Sequence, residues 1–94
     1  MTIILTERQR HLARHALGLP NRSRRSYRNH FVAGPGHGDY DDWMAMVSAG
    51  AARRRDGSTS PLTGGDDLFW LTADGARAGL ARGEKLDPED FPEA

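Results

Sequence analysis

The stretch YDDWMAMVSAGAARRR, Tyr40 to Arg55, followed after a glycine-containing loop by LFWLTADG, Leu68 to Gly75, decides the fold. Asp39 stands before it as a candidate N-cap, and Asp41 and Asp42 fall where a helix dipole favours negative charge, so a helix is expected from Tyr40 to about Ser48. Gly50 is its natural stop. Trp43, Met46, Val47 and Tyr40 recur at spacings of three and four, which places them on one apolar face and makes this helix the centre of the core. Changing Trp43 to Ala is then expected to cost about 3–5 kcal/mol. Ala51 to Arg55 reads as a strand, Asp56 to Asp67 as a loop rich in Gly, Ser, Thr and Pro, and Leu68 to Leu71 as the returning strand of a hairpin. Thr72 caps a third helix running to about Arg82, with Ala76 and Leu80 inward, in which Gly75 and Gly79 each cost about 1 kcal/mol relative to Ala.

Working outward, Thr6 and Gln9 form a capping-box pattern that opens a first helix through about Leu17, stopped by Gly18 and Pro20. Leu12, Ala13, Ala16 and Leu17 share its apolar face, and Arg8, Arg10, Arg14 and His15 occupy the rest. Asn21 to Arg28 reads as a polar, Arg-rich loop. Residues 27–33 alternate weakly in the manner of a strand, and Gly34 to Gly38 form an irregular turn. The segment 84–94, acidic and containing proline, is expected to trail from the single domain 1–83 as a flexible end, with Phe91 as a possible docking side chain.

This succession of helix, strand, glycine-containing loop, strand and Leu-Thr-x-x-Gly cap resembles the second half of winged-helix domains. The resemblance implies an α+β fold, a small winged-helix-like domain of three helices plus a β-hairpin wing, with a possible third strand at 27–33. The first half departs from it, because Arg-rich and Gly-Pro-Gly segments replace the helix that should precede the recognition helix. The segment Arg28 to Gly36, Arg-Asn-His-Phe-x-x-Gly-Pro-Gly, also resembles one found in small proteins of phages and prophages. That resemblance implies a compact accessory protein in a bacterial host, acting on a host or phage macromolecule. Winged-helix relatives frequently dimerise, so a homodimer is possible.

The 94 residues, 37% of them hydrophobic, suffice for one core. No run is long and apolar enough to cross a bilayer, and no secretory leader is evident at the N-terminus, so a cytoplasmic location is expected. With no cysteine, disulfides, thiolate nucleophiles and Cys-ligated metals are excluded. The formal charge is zero but uneven: residues 1–38 carry seven Arg against Glu7, while residues 39–94 carry six basic residues against twelve acids. All basic residues but Lys85 are Arg, the side chain suited to bidentate phosphate contacts, although GC-rich coding gives the same bias.

The foremost candidate site is Arg22, Arg24, Arg25 and Arg28 with Tyr27 interleaved, since guanidinium groups meet phosphates and an aromatic ring stacks on bases. Arg53 and Arg55 on the wing strand form a second candidate, with Arg54 turned the other way by strand alternation. The alternative to each is a solvated surface. Asp39, Asp41 and Asp42 would repel phosphates from the helix that the resemblance nominates for the major groove. His30, His37 and Asp39 flank the Gly-Pro-Gly turn, and His11 and His15 lie four apart, but neither set comes with a nucleophile or a full ligand set. Thr63-Gly64-Gly65 lacks the remainder of a phosphate loop and reads as the wing tip. The expectation is a non-enzymatic module, without cofactor, metal or membrane, contacting nucleic acid or a nucleoprotein through Arg. The alternative is a phage-encoded protein that binds and inhibits a host defence complex, as anti-CRISPR proteins do, using either the Asp-rich face as a nucleic-acid mimic or the Arg loop against an acidic surface.

Overall fold

A computed structural model describes residues 3–58 and 64–92. The chain runs α1 (Glu7–Leu17), β1 (Phe31–Ala33), α2 (Tyr40–Ser48), β2 (Ala52–Arg55), β3 (Asp67–Leu71) and α3 (Ala73–Gly79). It is an α+β domain with three helices and one three-stranded antiparallel sheet in the order β1-β3-β2. Phe31 lies opposite Phe69 across one ladder, and Arg54 lies opposite Phe69 across the other. The segment 27–33 therefore does add a third strand, on the far side of the hairpin's returning strand.

Local chemistry sets most of the boundaries. Thr6 accepts from the Gln9 backbone N–H and the Gln9 side chain accepts from the Thr6 N–H, completing the capping box that opens α1. Gly18 closes it in the left-handed conformation at φ 80°. Asp39 does not cap α2: its backbone is already helical and its side chain makes no capping bond. The carboxylate faces Arg8 instead, at 3.6 Å, and a second carboxylate, Asp42, meets the same guanidinium at 2.6 Å. Thr72 caps α3 as expected, but the helix ends at Gly79 because Leu80 turns extended at ψ 142°. The tip residues 59–63, Thr63 among them, lie outside the described residues.

The core is a stack of rings over a bed of small side chains. Trp43 is fully buried between Phe31, at a centroid distance of 5.2 Å, and Phe69, at 5.5 Å. Its Nε1 has no hydrogen-bond partner among the described residues. Leu12, Ala13, Ala16 and Leu17 of α1, Met46 of α2, Leu71 of β3 and Ala76 of α3 close around them. Gly79 lets α3 approach α1, since a Cβ there would stand 3.2 Å from that of Ala13. The glycines that weaken α3 on propensity thus permit its packing.

The segment after α3 departs most from expectation. Glu84 turns inward onto Arg14, Lys85 forms a parallel bridge with Arg25, and Phe91 is only 4% exposed within the core cluster. Residues 84–91 are therefore a packed strap and not a trailing end. Burying an aromatic ring contributes more than its acidic, proline-containing surroundings suggested. Among the described residues no helix is long and apolar enough to cross a membrane.

Candidate nucleic-acid interface

The Arg-rich loop is built on Asn21. Its side-chain amide donates to the carbonyls of Gly18, at 3.0 Å, and Arg25, at 2.8 Å, while its Oδ1 accepts from the Ser23 hydroxyl at 2.9 Å. This bracket pins Arg24 at φ 55°, a left-handed conformation costly for a residue with a Cβ. The strain is held from the other side by the strap: the Lys85 N–H donates to the Arg24 carbonyl at 2.9 Å, and the Ser26 N–H donates to the Lys85 carbonyl at 3.0 Å. Ser26 is itself buried, and its hydroxyl accepts from the Asp87 N–H at 2.8 Å.

That geometry assembles one basic surface from two remote segments. Arg22, Arg24 and Arg25 are exposed, Lys85 is exposed beside them, and the guanidinium of Arg24 lies against Gly83, next in the chain to exposed Arg82. Glu84, the acid nearest in sequence, is withdrawn. Both its oxygens are held by Arg14, and one accepts from the Ala81 N–H. The Arg14 hydrogen bonds hold the Glu84 carboxyl below its ordinary range, with the Ala81 N–H helping against the opposing effect of burial. Among the described residues, the arginines in ion pairs are Arg8, Arg14, Arg54 and Arg77. Arg22, Arg24, Arg25, Arg82 and Lys85 have no such partner there.

Tyr27 and Arg28 are held against the C-terminal end of α1. The Tyr27 ring, 61% exposed, lies over Gly18, with the Arg28 guanidinium 5.3 Å from its centroid. Arg28 is anchored to α1, donating through Nη2 at 2.7 Å and Nε at 3.3 Å to the His15 carbonyl.

Arg53 and Arg55 occupy β2, at the edge of the sheet opposite β1. Arg53 lies across from Trp70 and shares a groove with Asn29, Asp90 and Phe91. Arg54 faces the other way, as alternation requires. It reaches Asp67 at 2.6 Å, whose carboxylate also accepts from the Tyr40 hydroxyl at 2.9 Å and the Gly57 N–H at 3.1 Å. The Gly57 and Arg54 bonds pull the Asp67 carboxyl below its ordinary range, and the same carboxylate pushes the Tyr40 hydroxyl up.

The first Arg segment singled out in the sequence is thus joined to Lys85, whereas Arg53 of the second shares its groove with Asn29, Asp90 and Phe91. Lys85 and Arg82 complete the first, and nothing local in the sequence could reveal them, because the bridge that brings Lys85 in spans sixty positions of chain. The α2 surface offers exposed Asp41, Ala45 and Ser48, with Asp39 and Asp42 taken up by Arg8. It bears neither the cations that grip phosphates nor an open acidic field. His37 accepts from the Gly34 N–H through Nδ1 at 3.2 Å, a bond that serves the turn. Among the described residues, no three of His, Asp and Glu gather closely enough to hold a metal. Set against models of known protein families, curated proteins and solved structures, the chain matches none of them.

Proposed function

We propose that this chain is a non-enzymatic nucleic-acid-binding module that grips phosphates through Arg22, Arg24 and Arg25 together with Lys85. The observation that carries the reading is the placement of Arg24 and Arg25 against Lys85, with Arg22 close by in the chain and none of the four in an ion pair among the described residues, whereas Arg8, Arg14, Arg54 and Arg77 each meet a carboxylate. Like charges held together repel, and a polyanion relieves that repulsion while releasing its own counterions. The left-handed backbone at Arg24 is supporting, since strain of this kind concentrates at binding sites. Kinship with winged-helix domains, which the sheet order β1-β3-β2 and the hairpin favour, belongs to the same proposal. The α2 surface, however, lacks base-reading side chains, so contact is with the backbone and largely indifferent to sequence.

The test is fluorescence anisotropy with labelled DNA and RNA oligonucleotides over a salt series. Affinity is expected to fall steeply with salt, and the triple variant Arg24→Ala, Arg25→Ala, Lys85→Ala is expected to reduce the logarithmic slope by about three, uniformly across sequences. Absence of binding at low salt, or an unchanged slope in the triple variant, would overturn the proposal.

A second reading has its own observation. A groove of about 610 Å³ is lined by Met44, Val47, Ala52 and Trp70 together with Arg53 and Arg54, of which Arg54 is already paired with Asp67. Its chemistry suits an acidic, partly apolar protein segment, which supports the alternative of a protein-binding inhibitor. Capture of a partner that survives nuclease treatment and is lost in Arg53→Glu would favour it.

A further inference from the structure

His15 of α1 and His30 ahead of β1 have nothing to do with one another in the sequence, yet the fold sets them on one cleft. A cavity of about 280 Å³ is lined by His15, Arg28, His30, Phe31 and Val32. Three of these five side chains carry N–H donors and none is acidic. Arg28 is fixed by Nε and Nη2 on the His15 carbonyl, so its planar fork is oriented before any ligand arrives, and its Nη1 has no protein acceptor among the described residues. His15 is steadied by its edge-on contact with the Phe31 ring at 5.4 Å, and the His30 backbone is tied to α1 through the Ala16 carbonyl at 3.4 Å. Phe31 and Val32 supply an apolar wall.

We propose that this cleft is a binding site for a phosphoryl group, held by the Arg28 guanidinium and the two imidazole N–H donors. A fixed guanidinium and flanking imidazoles match a tetrahedral oxyanion in both charge and donor number. The site stands independently of the Arg24, Arg25 and Lys85 surface, although a nucleic acid could supply its phosphate.

The experiment follows the ring resonances of the four histidines by NMR while inorganic phosphate replaces chloride at constant ionic strength. His15 and His30 are expected to shift together and saturably, and His11 and His37 to respond far less. Both Arg28→Ala and His30→Ala are expected to weaken the response about tenfold. His30→Ala removes only an exposed side chain, so it reads the site even where loss of Arg28 disturbs the contact with α1. Four equal shifts, no shift by tens of millimolar phosphate, or an unaltered response in His30→Ala would overturn the site. Competition by oligonucleotides with and without a 5′-phosphate identifies the source. Preference for the phosphorylated end assigns a terminal or free phosphate, equal competition assigns a backbone phosphate, and either result upholds the cleft. A lost phosphate response with retained salt-dependent oligonucleotide binding refutes the cleft alone. The converse refutes the Arg24, Arg25 and Lys85 reading alone.

Discussion

Gly75 shows how one missing methyl group can decide a packing arrangement. Helix propensity alone favours Ala at this interior position by about 1 kcal/mol. In the folded chain, however, a Cβ at Gly75 would run into the backbone carbonyl of Ala51, which cannot swing aside because it accepts from the Thr72 N–H at 3.0 Å. Gly75→Ala is therefore expected to destabilise by about 1–3 kcal/mol, the range of overpacked cores, reversing the sign that propensity gives. Urea denaturation reads the difference directly, and a stabilised variant would show that α3 can slide. At this scale the sequence spoke clearly wherever a side chain acts on its neighbours. Trp43, the Thr6 capping box, the Thr72 cap and the inward Ala76 were all legible. Asp39 was not, because its carboxylate is claimed by Arg8, thirty-one positions earlier, and a local rule has no view of so distant a competitor.

Among the elements, the hairpin depends on a carboxylate more than on its turn. Asp67 opens β3, is 4% exposed, and joins α2 through Tyr40, β2 through Arg54 and the loop through Gly57. Glu84 plays the matching role between α1 and the strap. Both carboxyls lie below their ordinary range in the folded chain, so the unfolded chain binds their protons more readily. Their contribution is complete above the unfolded carboxyl range, about pH 4–4.5, and is lost as falling pH passes through the lower folded values. The urea midpoint is expected to hold down to about that pH and then decline, whereas Asp67→Asn starts lower and declines less steeply. An equally steep decline in the variant would place the acid sensitivity elsewhere. The hairpin itself was readable from the apolar run Leu68 to Leu71 and the turn residues before it. The attachment of β1 to β3 was not, since three residues of weak alternation carry no statement of which strand they join.

The molecule as a whole is closed by the segment that sequence composition set aside. Acidic residues and prolines at 84–92 describe a solvated end, and only Phe91 argued otherwise. Its burial, the Glu84 pair and the Lys85 bridge show that the strap finishes the core and the basic surface together. Phe91→Ala is expected to cost about 3–5 kcal/mol, comparable with other buried aromatics, measured as a fall in the thermal midpoint by calorimetry. A tail of no consequence would leave that midpoint unmoved. The candidate site was half legible for the same reason: Arg22, Arg24 and Arg25 announce themselves as a run, while the addition of Lys85 and Arg82, and the cleft that His15 and His30 both line, exist only once the chain has folded. The contrast between the two tryptophans has a practical corollary. Trp43 is sealed among rings and Trp70 borders two grooves, so intrinsic emission contains a blue component shielded from acrylamide and a redder one open to it. Unfolding exposes the first, whereas an occupant of either groove dims or shields only the second, and one unlabelled sample thereby separates loss of fold from arrival of a partner.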